Sequence, residues 1–234
     1  AAAGAAVGAA VCSVVARRAE RRRRAELIEA AVRERRSLFL PDLNGEDAPD
    51  DAVAAMLEAA NWAPTHGQTQ PWRFHVFRRS SGSLKQFFDL QASGCEAWLQ
   101  QSPPKDAEAE MIKFKTKLPK KIKDIMKCSH VVAIVMKRKA IPEKVMPEWE
   151  EIAAVACAVQ NAHIVGCALG VAVYWSSGGT EGPLATKEVR DALKLEAGDR
   201  CLGLLYVGKA DEITWGKAQA RAKRGPIDAK VWWC

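Results

Sequence analysis

The sequence predicts one folded domain that mixes α-helices with a small β-sheet, preceded by a helical extension of different composition. Stretches with apolar residues three and four positions apart predict the helices, and short runs rich in valine and isoleucine predict the strands. With 234 residues, of which 48% are hydrophobic, the chain can bury a full core. No linker is long enough to divide that core between two domains.

The extension begins with 16 uncharged residues, almost all of them alanine, valine or glycine, and continues into residues 17–24 with six arginines and one glutamate. A membrane-crossing helix, a helix docked on a partner and a leftover transit peptide all fit this pattern. The Gly4-x-x-x-Gly8 spacing would let another helix approach closely. We favour association with a membrane or a partner through residues 1–24, in an organelle and preferably a plastid, with a cytoplasmic location as the alternative.

The helices follow from apolar periodicity along the rest of the chain. Residues 27–32 carry an apolar stripe, and Asp50 is expected to cap the helix that follows it. The lysine-rich stretch 113–127 predicts an exposed amphipathic helix. The predicted helices occupy residues 17–36, 50–63, two or three parts of 83–127 separated at Gly94 and at Pro103–Pro104, 148–169 and 184–193.

Short apolar runs predict the strands, at residues 73–79, 130–136, 171–175 and 201–207. The run 130–136 is apolar almost without interruption, which predicts a buried strand. Glycine and proline residues lie between these runs and the helices, where they mark turns.

Charge and metal-ligating residues exclude several function classes. The net charge of +7 is small and concentrated near the N-terminus, so we expect no nucleic-acid site. Seven scattered cysteines without a C-x-x-C pair, and four histidines without metal-ligand spacing, argue against a disulfide framework and against a metal site. We expect Cys157 and Cys167, which lie in apolar runs, to be small core residues, and His163 to be a buried residue with its hydrogen bonds satisfied.

The most informative segment is the loop at residues 61–74, which two prolines and a glycine stiffen. It presents Thr65, His66, Gln68 and Gln70, whose hydrogen-bonding groups suit a planar ligand rich in heteroatoms. A purely structural connector explains the same residues equally well. We expect the tryptophans around this loop and on the later helix to serve in packing, namely Trp62, Trp72 and Trp149.

The segments Arg35-Arg36-Ser37 and Ala63-Pro64-Thr65-His66-Gly67-Gln68-Thr69-Gln70-Pro71-Trp72 resemble the FMN-dependent nitroreductase family, whose usual pattern is R-R-S followed by A-P-S-x-x-N-x-Q-P-W. Residues 168–178 and 202–208 resemble two later strands of that family. The resemblance is greatest to its compact subgroup of small bacterial enzymes. It begins near Arg33, which places the domain boundary between an extension at residues 1–32 and a flavin-binding domain at residues 33–234.

The resemblance implies an α+β fold with a central, mainly antiparallel sheet flanked by helices, built as an intertwined homodimer with FMN at the subunit interface. An arginine pair suits the cofactor phosphate. Of the implied site residues only His66 is a candidate for catalysis. The implied cofactor-binding residues are Arg35, Arg36, Ser37, Thr65, His66, Gln68, Gln70, Trp175, Ser176, Ser177, Gly178, Lys223 and Arg224.

Two positions depart from the family pattern. Phe39 stands where the family often has a further arginine, and Gln68 stands where it commonly has asparagine. The phosphate site would therefore depend more on Lys223 and Arg224.

The resemblance implies an oxidoreductase that moves electrons from NAD(P)H through FMN to nitroaromatics, quinones or similar small molecules by a ping-pong mechanism. The alternative is a structural or accessory subunit of a membrane protein complex, anchored by its N-terminal helix. A third hypothesis keeps the fold and the flavin but assigns other chemistry, such as dehalogenation or flavin breakdown.

Overall fold

The computed structural model describes residues 2–101, 107–138, 145–177 and 184–234. The chain divides into two compact units, Ala1–Arg35 and Arg36–Cys234. The first unit is one helix, α1 (Ala2–Glu34), so the helix expected from residue 17 begins much earlier. Within α1, Glu20 forms ion pairs with Arg23 and Arg24. Membrane or partner association of residues 1–24 and the organellar location stay predictions.

The second unit is built on a four-stranded antiparallel sheet. Its strands are β1 (Trp72–Arg78), β2 (His130–Met136), β3 (Ala172–Ser176) and β4 (Arg200–Gly208). They lie in the order β1-β2-β4-β3, and every neighbouring pair is antiparallel. All four coincide with predicted strands to within one residue, and the α+β fold class is confirmed.

Helices surround this sheet. They are α2 (Asp50–Asn61), α3 (Ser83–Gln101), α4 (Ala107–Ile125), α5 (Glu148–Ala168), α6 (Lys187–Ala192) and α7 (Glu212–Ala220), with short 3-10 turns at Leu40–Asp42, His66–Gln68 and Asp228–Lys230. Helix α5 matches its prediction, α6 is shorter than predicted, and α7 was not predicted. The N-cap of α7 is Asp211, whose pKa is lowered because its carboxylate accepts hydrogen bonds from Thr214.

Strand β2 is buried, as its continuous apolar run predicted, and the burial extends to both of its faces. Val131, Ala133 and Val135 point into one core with residues of α3, α6 and α7, while Val132, Ile134 and Met136 point into a second core with residues of α2 and α5. The alternation follows from the two-residue period of a strand.

Two local predictions were wrong. Asp50 is the first helical residue of α2 and not its cap; its carboxylate instead contacts His130 at 2.9 Å and Arg78 at 3.0 Å. Gly94 does not interrupt a helix but lies inside α3. A Cβ there would come within 2.7 Å of Thr186 Oγ1, so glycine lets α3 approach the segment before α6.

We predict that Gly203→Ala destabilises the protein strongly. Gly203 has a φ of +125°, and an added Cβ would lie 2.3 Å from the backbone oxygen of Ser176 on β3. Strain and overlap together should lower the free energy of unfolding by at least about 3 kcal/mol, measured by urea denaturation. Gly170→Ala is the matched control, since Gly170 has a φ of +68° with open space around it. This change should lower the free energy of unfolding by only about 1 kcal/mol. Equal effects of the two changes would contradict this explanation.

Candidate functional site

The loop between α2 and β1 holds its polar side chains in a strained backbone. Gly67, Gln68 and Gln70 all have positive φ, at 58°, 53° and 45°. For the two glutamines this conformation costs about 1–3 kcal/mol each, a cost found most often at functional sites. The hydroxyls of Thr65 and Thr69 lie 3.0 Å apart and support the turn, while His66, Gln68 and Gln70 are exposed. The loop therefore presents these side chains outwards.

The first turn of α5 contacts three separate segments through three carboxylates, which we call the α5 anchor (Glu148, Glu150 and Glu151). Glu150 Oε2 lies 2.5 Å from Nδ1 of His66 in the loop. Arg138, just after β2, donates from Nε to Glu151 Oε2 at 3.0 Å. Glu148 Oε1 lies 2.6 Å from Nε of Arg200 at the start of β4.

Glu151 is the member of the α5 anchor that geometry constrains most. Its side chain is 2% exposed, and a carboxylate at that depth requires a positive partner. Arg138 supplies that charge and also donates to the backbone oxygen of Met146 at 2.6 Å. The backbone N–H of Arg138 is held by Asp199 Oδ1 at 2.9 Å, so one arginine ties α5 to the segment before β4.

The Arg36–Phe39 segment runs beside β3. The backbone N–H of Leu38 donates to Val173 O at 3.1 Å, and His163 Nε2 on α5 donates to Arg36 O at 2.9 Å. The Phe39 ring meets Tyr174 edge-on at 4.9 Å. Arg36 and Ser37 are thus fixed, half-buried, at the edge of the sheet. Arg35 belongs to the first unit, and its role stays a prediction.

The basic tail reaches the same segment through Arg221, at the end of α7. Its guanidinium lies 3.3 Å from Asp42 Oδ2 and 6.0 Å from the centre of the Phe39 ring. Sequence reasoning did not select Arg221, although the basic run at residues 221–224 was a signal for it. Lys223 and Arg224 follow in the tail, and both are exposed. The structure therefore places a positive charge beside Phe39, the position where an arginine was missing.

The end of β3 carries the remaining predicted residues. Trp175 is 37% exposed, and its indole Nε1–H donates to Leu202 O on β4 at 3.3 Å. Ser176 is the last residue of the strand and Ser177 follows it. Gly178 lies outside the described residues.

Two groups of predicted site residues lie along α5: the loop group (Thr65, His66, Gln68 and Gln70) and the Arg36 group (Arg36 and Ser37). The loop group contacts α5 at Glu150, and the Arg36 group contacts it at His163. These positions are 13 residues apart, which is about 20 Å at the helical rise of 1.5 Å per residue. Within one chain, the structure does not bring the two groups together.

The exposed fractions of the side chains confirm some of the packing predictions and contradict others. Trp72 is 5% exposed and His163 is 4% exposed, which confirms their core assignment. Trp62 and Trp149 are 79% and 68% exposed, so their assignment to packing was wrong. The core assignment of Cys157 was also wrong, because this residue is exposed on the side of α5 that faces away from the sheet, while Cys167 is half-buried.

Buried thiols do not contribute nucleophiles to either group. Burial raises the pKa of the Cys128 thiol to about 12 and that of the Cys201 thiol to about 11. Both therefore stay protonated near neutral pH.

The sequence profile of the nitroreductase family matches residues 32–209. A Bacillus subtilis (strain 168) protein with the provisional name NAD(P)H nitroreductase YfhC is 26% identical over 196 residues, covering 84% of this chain and 88% of that protein.

Solved structures share the fold. The nitroreductase-like family protein from Bacillus cereus superposes with a TM-score of 0.67 at 19% identity, over 88% of this chain and 95% of its own. The FMN-dependent nitroreductase NfnB from Mycobacterium smegmatis, in complex with NADPH, gives a TM-score of 0.62 at 15% identity, over 90% of this chain and 99% of its own. Because the family profile covers most of the sequence and includes the Arg36 and loop groups, the chain belongs to the nitroreductase family.

Proposed function

We propose that the chain is an FMN-dependent oxidoreductase that takes electrons from NAD(P)H and passes them to nitroaromatics, quinones or similar small molecules in a ping-pong reaction. Family membership supports the cofactor and the donor, since the Bacillus subtilis relative carries the name NAD(P)H nitroreductase and the Mycobacterium smegmatis enzyme is FMN-dependent and holds NADPH. When bound, FMN supplies the electron-transfer chemistry, and the chain supplies binding and orientation.

The observation that carries this proposal is the convergence of Arg221 on the Arg36–Phe39 segment. A phosphate accepts hydrogen bonds from guanidinium forks and hydroxyls, which Arg36, Ser37 and Arg221 offer here. Lys223 and Arg224 follow in the tail and would add to the same site. The donor set thus fits the phosphate end of FMN, and Arg221 compensates for the phenylalanine at position 39.

We propose that the active form is a homodimer. In it, each FMN would contact the loop group of one copy and the Arg36 group of the other. The two groups are about 20 Å apart along α5, which exceeds the reach of the short ribityl chain that joins ring and phosphate in FMN. Helix α5 has apolar residues on all of its sides, yet one side, carrying Ala153, Cys157, Gln160 and Ala168, is exposed. An all-round apolar helix requires cover, and a second copy would provide it.

Bound flavin is the first test of the proposed function. The purified protein should show the visible absorbance of oxidised flavin, lose it when NAD(P)H is added without oxygen, and regain it on addition of a nitroaromatic or a quinone. Extraction should release FMN. A colourless protein that neither yields flavin nor binds added FMN would contradict the proposal.

Arg221→Gln should weaken FMN binding about tenfold, because one charge-assisted hydrogen bond to phosphate is lost. The dissociation constant can be measured by fluorescence quenching of FMN titrated with the flavin-free protein. Arg78→Gln is the matched control, since Arg78 is likewise an exposed arginine with one carboxylate partner, Asp50, and lies at the end of β1. Equal affinities of the Arg221 variant and the unchanged protein would refute the role of Arg221.

Mixing two defective chains tests the shared site. One chain carries Arg36→Ala with Arg221→Gln, and the other carries Thr65→Ala with Gln68→Ala. If each flavin contacts both copies, random re-pairing should restore roughly a quarter of the flavin sites, because each mixed dimer has one intact site. FMN content of the mixture, measured against each parent alone, gives the result. A mixture as poor in FMN as its parents would show that the site is built within one chain.

A further inference from the structure

A cavity of about 430 Å³ lies at one end of the sheet. Strand β3 ends at Ser176, which pairs with Leu204, so Arg200 and Leu202 on β4 extend past it without a β3 partner. Mostly apolar side chains line the cavity beside this free edge, among them Ile152, Trp175, Leu184, Leu195 and Leu202.

Trp175 offers a fixed aromatic surface to this cavity. Its indole N–H is engaged by Leu202 O at 3.3 Å, which holds the ring in place, and 37% of the residue is exposed. A tryptophan held by its polar atom and open on its face is suited to stack on another planar ring.

Two of the charged residues at the cavity are already committed to the protein. Both carboxylate oxygens of Asp199 accept backbone N–H groups, from Arg138 and from Glu196, each at 2.9 Å. Arg190 donates to the backbone oxygens of Glu196 at 2.8 Å and Asp199 at 3.4 Å. Neither group is available to recognise a ligand without breaking the wall of the cavity.

Arg200 differs from them because its contact is incomplete. Its side chain is 59% exposed, and Nε lies 2.6 Å from Glu148 Oε1. That contact lacks hydrogen-bond geometry, since Glu148 Oε1 is a buried atom with no hydrogen-bond partner among the described residues. The two Nη groups of Arg200 also have no partner there. The guanidinium can therefore accept an anion through its outer nitrogens.

We propose that this cavity binds a planar aromatic ring that carries an anionic group, with the ring against Trp175 and the anion on Arg200. Trp175 and Ser177 belong to the predicted flavin site, so the role of a ligand bound here rests on the proposed function. It narrows the ligands of that site to aromatic anions. These can come from an electron acceptor such as an aromatic carboxylate, or from the phosphate-bearing adenosine of NADPH.

Calorimetric titration of the oxidised, FMN-loaded protein with 2-naphthoate and with neutral 2-naphthol tests the inference without turnover. The carboxylate should bind about tenfold more tightly than the neutral ring, and Arg200→Gln should abolish that difference. Trp175→Leu should weaken the binding of both ligands, and this variant is reloaded with FMN before the titration because Trp175 also belongs to the predicted flavin site. The matched control Arg78→Gln should change neither, and circular dichroism with thermal unfolding checks that each variant is folded.

Two further measurements show whether the electron acceptor or NADPH supplies the anion. If the acceptor supplies it, Arg200→Gln raises KM for 4-nitrobenzoate and leaves KM for nitrobenzene unchanged. If the donor supplies it, the same change raises KM for NADPH and leaves KM for NADH unchanged. Either result supports the binding of an aromatic anion in this cavity through Arg200.

Three results would overturn the proposal: equal affinity for 2-naphthoate and 2-naphthol, a preference that survives Arg200→Gln, or loss of FMN in the Arg200 variant. The last would mean that Arg200 serves the cofactor itself. A protein that neither contains nor binds FMN, but still binds 2-naphthoate through Arg200, would contradict the proposed function and leave the aromatic-anion site standing.

Discussion

The α5 anchor is the interaction on which the arrangement of the site depends. Three carboxylates within one turn hold the loop before β1, the segment after β2 and the start of β4. Glu151 makes this arrangement difficult to change, since removing the partner of a buried charge typically costs about 3–5 kcal/mol. The position of α5 on the sheet, and with it the place of the loop and of Arg200, is therefore fixed by electrostatics as well as by packing.

Residues that stabilise the fold and residues of the predicted site lie in different parts of the sheet. β2 is buried on both faces and lies between two hydrophobic cores, so its residues are committed to packing. Polar and charged residues collect instead where strands end, at the loop before β1, beside β3 and at the free edge of β4. Strand ends can bear strained backbone and exposed charge because the cores on either side already stabilise the fold.

Periodicity and motif predicted most of the fold and part of the site. The four strands and α5 were predicted closely because each is a long or strongly apolar run. Two of the failures have a common cause in α5, which has apolar residues on all of its sides. Periodicity there did not show that Trp149 and Cys157 face away from the sheet. Arg221 was missed because its significance comes from Asp42 and Phe39, which are distant in sequence.

The sequence by itself determined the fold class, the family and the types of residue available to hold a flavin, since these depend on local patterns of apolar residues and on short motifs. Only the tertiary structure decided which of those residues meet. It placed Arg221 beside Phe39, tied His66 to Glu150, and held the loop group and the Arg36 group apart along α5. The physical reason is that burial and charge pairing act between residues far apart in the chain, and no local pattern records those distances.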